Sequence, residues 1–179
     1  MLPLTHSTNS AMIETRLIFT YGTLKKDFPN YQLMQDLITK NDAVHLGPYT
    51  THRPYPLVCG PHGIPYLINI PESGHPVKGE VYSVTSRGLA LVDELEGTSR
   101  GHYERLPIEV VKDEDGAVSV EAEAYFAGRS FGEALWERKG KVGLSEYSEM
   151  LSGEYVRVLD RPLGTDSLAD IRSFLSSKH

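Results

Sequence analysis

The chain has 179 residues, of which 40 % are hydrophobic and 23 % are charged, as in a folded globular protein rather than a disordered one. Its net charge of −6 argues against a general nucleic-acid-binding surface. No apolar run is long enough to span a membrane, and the single cysteine, Cys59, excludes an internal disulfide. These features predict a cytoplasmic protein that binds neither nucleic acid nor membrane, with a monomer as the default state.

The length fits one domain, which we expect to run from residue 16 to residue 179. Residues 1–15 lack the basic start and apolar core of a secretory signal. Their polar stretch predicts a flexible N-terminal tail instead.

Short apolar stretches separated by turn signals predict an α+β fold. The predicted strands are residues 16–21, 55–58, 64–70, 77–84, 108–112 and 118–126. The predicted helices are residues 31–39, 85–96 and 167–176, with Asn30 and Thr85 as candidate N-caps of the first two. Gly79 predicts a bulge or a close approach, and residues 113–116 predict a hairpin turn. Many short strands with few helices favour a small curved mixed sheet or β-barrel.

The loop after the first predicted strand, residues 21–24 (Tyr-Gly-Thr-Leu), is the first candidate site. A strand that breaks at a glycine exposes consecutive backbone N–H groups, which can hold an anion or a developing oxyanion. The alternative is an ordinary strand exit punctuated by Gly22. The loop by itself leaves both interpretations open.

A carboxylate continues the apolar stripe of the second predicted helix. Leu89 and Val92 lie on this stripe, and Glu96 takes its next position, with Asp93 nearby and Glu94 on the opposite face. A desolvated carboxyl has a raised pKa and suits proton transfer. The alternative is a helix end that has already left the core and exposes Glu96 to solvent.

Other chemistries have little support in the sequence. The seven histidines form no i, i+4 pair and have no cysteine partners, so a metal site is not expected. No glycine-rich nucleotide-binding motif and no nucleophile elbow are present. We therefore expect a site without metal or cofactor.

Ordered motifs over residues 16–127 resemble the gamma-glutamylcyclotransferase superfamily, and within it the gamma-glutamylamine cyclotransferase branch with its plant AIG2-like relatives. The motifs are residues 19–26 (FTYGTLKK), 55–58 (YPLV), 64–66 (IPY), 79–82 (GEVY), 93–96 (DELE) and 103–105 (YER). The resemblance implies a small barrel-like α+β fold with a cavity beside residues 21–24. It also implies that Glu96 is catalytic and that a gamma-glutamyl substrate releases its amine or amino acid and leaves 5-oxoproline.

Such a reaction is an intramolecular aminolysis, for which we expect Glu96 to move the proton and Gly22, Thr23 and Leu24 to offer backbone N–H groups. Tyr21 and Tyr103 either line the substrate pocket or pack in the core. If Glu96 is not the base, Asp93 is the next candidate.

The leaving group stays open at this stage. Gamma-glutamyl amines are expected, and gamma-glutamyl amino acids or glutathione are the alternative, which would need a cation such as Arg53, Arg105 or Arg129. Arg105 is also a candidate for a structural ion pair. The stretch around Tyr147 and Tyr155 is a candidate C-terminal pocket segment, and residues 129–163 a candidate lid. A non-catalytic small-molecule binder is the alternative of a different class.

Overall fold

The centre of the fold is a closed β-barrel. The structure, a computed structural model, describes residues 13–113, 118–162 and 166–177. The strands are β1 (Thr15–Thr20), β2 (Ala43–Thr51), β3 (Leu57–Cys59), β4 (Pro65–Leu67), β5 (Lys78–Thr85), β6 (Tyr103–Lys112) and β7 (Ser119–Ala127). Strands β1, β5, β2, β6 and β7 pair in that order, and a parallel β1–β7 pairing closes the ring. The predicted α+β fold with a small barrel is confirmed.

One edge of β7 is shared by two neighbours. Residues 123–124 of β7 pair with β1, whereas Phe126 pairs with Leu67 of β4, and β3 and β4 form an antiparallel hairpin. The chain that leaves β1 therefore meets β4 at this seam. The contact is tight, since a Cβ on Gly22 would lie 2.6 Å from Cγ of Pro65.

The close approach predicted at Gly79 is confirmed. A Cβ added there would overlap the carbonyl oxygen of Thr20 and lie 2.7 Å from the Phe19 ring. The predicted hairpin is also present, formed by β6 and β7, although β6 begins at Tyr103 rather than at residue 108. Most of its predicted turn, residues 114–116, lies outside the described residues.

Strand β2 was not predicted from the sequence. It contains Gly47 and Pro48, and its pairing with β5 shifts register between His45 and Gly47. Glycine and proline are uncommon inside strands, and the register shift interrupts the alternation of apolar and polar residues, so the sequence does not show the period-two pattern of a strand. Pairing with β5 on one side and β6 on the other nevertheless makes β2 essential for closing the ring.

The helices pack on the outside of the barrel. They are α1 (Tyr31–Thr39), α2 (Ser86–Glu96), α3 (Gly132–Arg138), α4 (Glu149–Ser152) and α5 (Ser167–Ser176). The predicted α1, α2 and α5 are confirmed, whereas α3 and α4 lie within residues 129–163, where no helix was predicted because the apolar residues show no sustained helical period. One apolar cluster, including Phe19, Val81 and Ala124, fills the barrel, and a second, including Ile18 and Tyr125, lies under the helices.

Residues 1–12 of the predicted tail lie outside the described residues, so the tail and the domain boundary stay predictions. None of the helices in the described ranges is both long and apolar enough to cross a membrane.

Candidate active site

A cavity of about 550 Å³ lies at the seam between β1 and β4, a size typical of small-molecule sites. One side is built by residues 21–24, the end of α2 and the start of β6. The other side is built by residues between 155 and 172, which we call the C-terminal wall. Every site residue proposed from the sequence lines this cavity: Tyr21, Gly22, Thr23, Leu24, Glu96 and Tyr103.

In the loop of residues 21–24, two carbonyls accept hydrogen bonds and three N–H groups have no acceptor within the described residues. The Lys25 N–H donates to the Gly22 carbonyl at 3.1 Å, and the Asn30 N–H donates to the Thr23 carbonyl at 2.8 Å. Within the described residues, the N–H groups of Gly22, Thr23 and Leu24 donate to no acceptor. Three unpaired donors on one cavity can hold an anionic oxygen, so the geometry favours the anion-site interpretation of the loop.

Helix α2 carries Glu96 to the cavity. The Thr85 side chain caps its start by accepting from the Gly88 N–H at 3.2 Å, and Gly97 ends it in the left-handed region with φ of 68°. Leu89 and Val92 are buried, as predicted for this stripe. Glu96 therefore occupies the last position of a face that is otherwise turned into the protein.

The environment of Glu96 favours its neutral form. Its side chain keeps partial contact with the cavity and is otherwise enclosed by protein. Burial raises the pKa of the Glu96 carboxyl to about 8, and the nearby Asp93 carboxylate adds to the rise. Such a carboxyl can both accept and donate a proton near neutral pH. The alternative of a solvated helix end is excluded.

A buried tyrosine–histidine pair lies next to the end of α2, where the His102 backbone N–H donates to the Gly97 carbonyl at 3.2 Å. Burial lowers the pKa of His102 to about 4, with the Arg161 and Arg100 charges as further causes, so the ring is neutral. The ring nitrogen Nε2 lies 2.7 Å from the Tyr66 hydroxyl, within hydrogen-bond distance.

Asp93, the second candidate base, is held in a different network. Arg105 donates to both of its carboxylate oxygens, at 3.0 and 3.2 Å, and the Tyr125 hydroxyl donates at 2.6 Å. Arg105 also binds Glu123 at 2.9 Å. Three hydrogen bonds hold the Asp93 carboxylate in place, which leaves Glu96 as the candidate for proton transfer.

Tyr21 and Tyr103 combine both roles that the sequence left open. Each is buried and lines the cavity. The Tyr21 hydroxyl donates to the Tyr125 carbonyl at 2.6 Å, and the Tyr103 hydroxyl donates to the Pro65 carbonyl at 2.7 Å. Both hydroxyl hydrogens are already donated to backbone carbonyls, so these residues contribute the shape of the cavity rather than a free donor. Burial also raises the pKa of both phenols.

Asn30 connects the loop to the C-terminal wall. It lies at the N-cap position of α1, as predicted, but its side chain makes no capping hydrogen bond. Instead, Nδ2 donates to Thr23 Oγ1 at 2.8 Å and to the Tyr155 hydroxyl at 3.1 Å. The sequence around Asn30 could not predict its contact with the C-terminal wall, because Tyr155 lies 125 residues away in sequence.

The arginines proposed from the sequence do not line the cavity. Arg53 pairs with Glu72 at 3.6 Å and Arg129 pairs with Glu104 at 2.8 Å, whereas Arg105 is part of the Asp93 network. The structural interpretation of Arg105 is therefore confirmed. The guanidinium groups at the cavity belong to three arginines that the sequence did not single out: Arg100, Arg161 and Arg172.

The C-terminal pocket segment is confirmed only in part. Tyr155 lines the cavity, but Tyr147 is fully buried in the core and its hydroxyl donates to the Gly63 carbonyl at 3.1 Å. Whether residues 129–163 act as a lid stays a prediction.

Two other chemistries find no support at this site. Burial raises the pKa of the Cys59 thiol to about 11, which disfavours the reactive thiolate. Across the described ranges, no cluster of three or more histidine, cysteine or carboxylate side chains is arranged to hold a metal ion.

Comparison with known proteins matches this site to a family. The model of the family described as gamma-glutamyl cyclotransferase, AIG2-like, matches residues 18–149. This range contains the loop, Glu96 and Tyr103, and it ends before the C-terminal wall.

Individual relatives agree with the family match. A protein of Arabidopsis thaliana, provisionally named a gamma-glutamylcyclotransferase, is 47% identical over 91% of this chain and 93% of its own length. The human gamma-glutamylaminecyclotransferase is 40% identical over 59% of this chain and 68% of its own length. The crystal structure of an AIG2-like protein from Mus musculus superposes with a TM-score of 0.65 at 31% identity, over 75% of this chain and 89% of that one. The chain therefore belongs to the AIG2-like gamma-glutamyl cyclotransferase family, and gamma-glutamyl cyclotransfer is the enzymatic activity that its relatives support.

Proposed function

We propose that this chain releases an amine from a gamma-glutamyl amide and leaves 5-oxoproline, with Glu96 as the group that moves the proton. One observation supports this most strongly. The unpaired N–H groups of Gly22, Thr23 and Leu24 and the carboxyl with a raised pKa at Glu96 line the same cavity. An intramolecular aminolysis needs both an oxyanion site and a proton carrier, and it needs no enzyme nucleophile.

The proton path follows from the chemistry of the substrate. The substrate binds as an ammonium, and the Glu96 carboxylate takes one proton from it. The freed α-amine attacks the γ-carbonyl carbon and closes a five-membered ring, which gives a tetrahedral oxyanion. The carbon–nitrogen bond to the leaving amine then breaks as Glu96 returns its proton to that nitrogen. The ring nitrogen gives up its second proton to the released amine, so the lactam nitrogen of 5-oxoproline keeps one hydrogen and the amine leaves as an ammonium. A positioned acid–base group contributes on the order of 10²–10⁴-fold.

The loop supplies the second contribution. Its free N–H groups stabilise the oxyanion or grip the substrate's own carboxylate, and each catalytic donor is worth roughly 2.7–4 kcal/mol in transition-state stabilisation. The cavity must also fold the flexible glutamyl chain so that amine and carbonyl meet, and this orientation supplies a large share of the rate gain.

The substrate class rests on the relatives. The relatives from Homo sapiens, Bos taurus and Rattus norvegicus carry the name gamma-glutamylaminecyclotransferase, which supports amides of gamma-glutamate as substrates here. A binder without catalysis is disfavoured, because a carboxyl held at a raised pKa costs stability and serves no purpose in passive binding.

The test is an assay of 5-oxoproline release by the purified protein on a panel of gamma-glutamyl amines, gamma-glutamyl dipeptides and glutathione. We expect turnover on at least one compound, and we expect Glu96→Gln to lower kcat by 10²-fold or more with little change in KM. Glu94→Gln is the matched control, since Glu94 is exposed on the opposite face of α2. Near-normal turnover by Glu96→Gln would exclude Glu96 as the base, and binding without turnover would favour the binder.

We also propose a monomer in a reducing compartment such as the cytoplasm. The single cysteine, which excludes internal disulfides, supports the compartment. Size-exclusion chromatography with light scattering tests the monomer.

A further inference from the structure

The C-terminal wall extends the cavity beyond the part of the chain that the family model matches. That match ends at residue 149, whereas Tyr155, Arg161, Arg172 and their neighbours line the same cavity as Glu96. This part of the site is therefore built by a segment that the family match does not describe. The leaving amine is the part of a gamma-glutamyl substrate that varies, so a wall of this kind is suited to select among substrates.

Tyr155 has a hydrogen to donate. Its hydroxyl lies 3.1 Å from Nδ2 of Asn30 and 3.3 Å from Nη2 of Arg161. Both partners are donors, so the hydroxyl oxygen accepts from both. No acceptor for the hydroxyl proton is present among the described residues, and the residue lines the cavity.

Arg161 is held rigidly and still has free donors. Nε donates to the Val156 carbonyl at 2.9 Å, Nη1 to the Ser167 hydroxyl at 3.5 Å and Nη2 to Tyr155 at 3.3 Å. Its guanidinium also lies 5.6 Å from the centre of the Tyr155 ring. A guanidinium has five N–H groups, so one remains on each terminal nitrogen. In the described ranges of the chain, no carboxylate forms an ion pair with Arg161.

The charge balance of this part of the cavity is positive. Arg100 and Arg172 also line it, and neither has a carboxylate partner within the described residues. Two carboxylates oppose them. Asp170 is paired with His62 at 3.1 Å, and Asp166 accepts the Ala169 N–H at 2.7 Å as the cap of α5.

The effect of these charges on the pKa of His102 agrees with a positive charge balance. The positive charges of Arg161 and Arg100 both lower the pKa of His102, and each has a larger effect than the opposing effect of Asp166. The nearby arginines therefore outweigh the nearby carboxylate in their effect on this ring. A positive pocket that contains a fixed guanidinium and a hydroxyl donor suits a carboxylate.

We propose that Tyr155 and Arg161, assisted by the charges of Arg100 and Arg172, form a subsite that binds a carboxylate carried by the leaving amine. This inference rests on the proposed function and specifies its substrate class. The preferred substrates are gamma-glutamyl amino acids, in which the leaving nitrogen belongs to an amino acid with a free carboxylate. Neutral gamma-glutamyl alkylamines occupy the same cavity without this contact.

The test compares two substrates that differ only in this charge. Gamma-glutamyl-alanine carries a carboxylate on the leaving amine, and gamma-glutamyl-alaninamide replaces it with a neutral amide of nearly the same shape. We expect the wild-type protein to show a kcat/KM at least tenfold higher for the acid, which is the gain expected from hydrogen bonds to a charged group.

Variants then assign the preference to its residues. Arg161→Met keeps much of the side-chain stem and removes the charge, so it should lower kcat/KM for the acid about 10- to 100-fold and for the amide no more than about twofold. Tyr155→Phe should lower kcat/KM for the acid several-fold. Arg157→Met is the matched control, because Arg157 is exposed on the same segment and does not line the cavity. The Arg157→Met variant should leave kcat/KM unchanged for both substrates.

Several results would overturn the proposal. Equal kcat/KM for the two substrates in the wild-type protein contradicts the subsite and leaves the proposed function standing. An equal loss on both substrates in Arg161→Met, with an unchanged unfolding temperature, shows that Arg161 only holds the wall together. Absence of 5-oxoproline release from every gamma-glutamyl compound contradicts the proposed function, and with it the subsite.

Discussion

The two sides of the cavity are built in different ways. On the barrel side, the loop of residues 21–24 presents backbone N–H groups, and the hydroxyls of Tyr21 and Tyr103 are already bound to backbone carbonyls. On the C-terminal wall, side chains with free donors, Tyr155 and Arg161, extend from the segments that connect the last helices. Backbone donors on a rigid barrel suit a reaction centre, whereas side chains on connecting segments suit recognition that varies between relatives.

The first prediction concerns the barrel side and has the largest expected effect of the three. Gly22→Ala places a Cβ 2.6 Å from Pro65 Cγ, so the loop and the Pro65 ring must move apart, and the movement of the loop takes its N–H groups out of alignment. We expect kcat to fall about 10²–10³-fold, the loss typical of one oxyanion donor, when 5-oxoproline release is measured.

The control is a second change at the contact. Pro65→Ala removes the Cγ that the new methyl group meets and should restore part of the activity in the double variant. An active Gly22→Ala variant would show that the loop shapes the cavity without acting on the oxyanion.

The second prediction uses pH to test Glu96. With a pKa of about 8 instead of the usual value near 4.5, the carboxylate is scarce at neutral pH and becomes more abundant as pH rises. We expect kcat/KM to increase about tenfold between pH 6 and pH 7, and to fall again where the substrate ammonium loses its proton. A steady-state pH profile measures this, and a flat profile between pH 6 and pH 7 would contradict the raised pKa.

The third prediction tests the link between the two sides and is the smallest. Asn30→Ala removes the hydrogen bonds from Asn30 to Thr23 and to Tyr155. We expect kcat/KM to fall about 2- to 12-fold, the range for a neutral hydrogen bond. Gln32→Ala is the matched control, because Gln32 is exposed on the same helix and bonds only to Asp36 among the described residues. No change in Asn30→Ala would show that the two sides act independently.

Local patterns predicted most of the barrel side. The break at Gly22 marked the loop, and the i, i+3, i+7 spacing of Leu89, Val92 and Glu96 placed a carboxyl on a buried face. These signals depend on neighbours within one element. Local patterns did not predict strand β2, because a strand that contains Gly47 and Pro48 forms only through its pairing with β5 and β6.

The arginines show the limit of sequence reasoning. Arg105 lies near Asp93 because of sheet and helix packing across 12 residues, and Arg129 meets Glu104 across 25 residues. Such ion pairs leave no periodic signal. The sequence could therefore name cationic candidates, but it could not tell which of them are already neutralised by an acid.

The sequence by itself predicted the fold class and marked the Tyr-Gly-Thr-Leu loop and Glu96 as candidates, since turn chemistry and helical spacing are local properties of the chain. The resemblance to a known family then selected Glu96 as the catalytic residue. Only the tertiary structure decided that the loop and Glu96 share one cavity, that Asp93 is held by Arg105, and that the C-terminal wall completes the site. These features depend on barrel closure, which brings residues more than 70 positions apart into contact through packing that no single segment encodes.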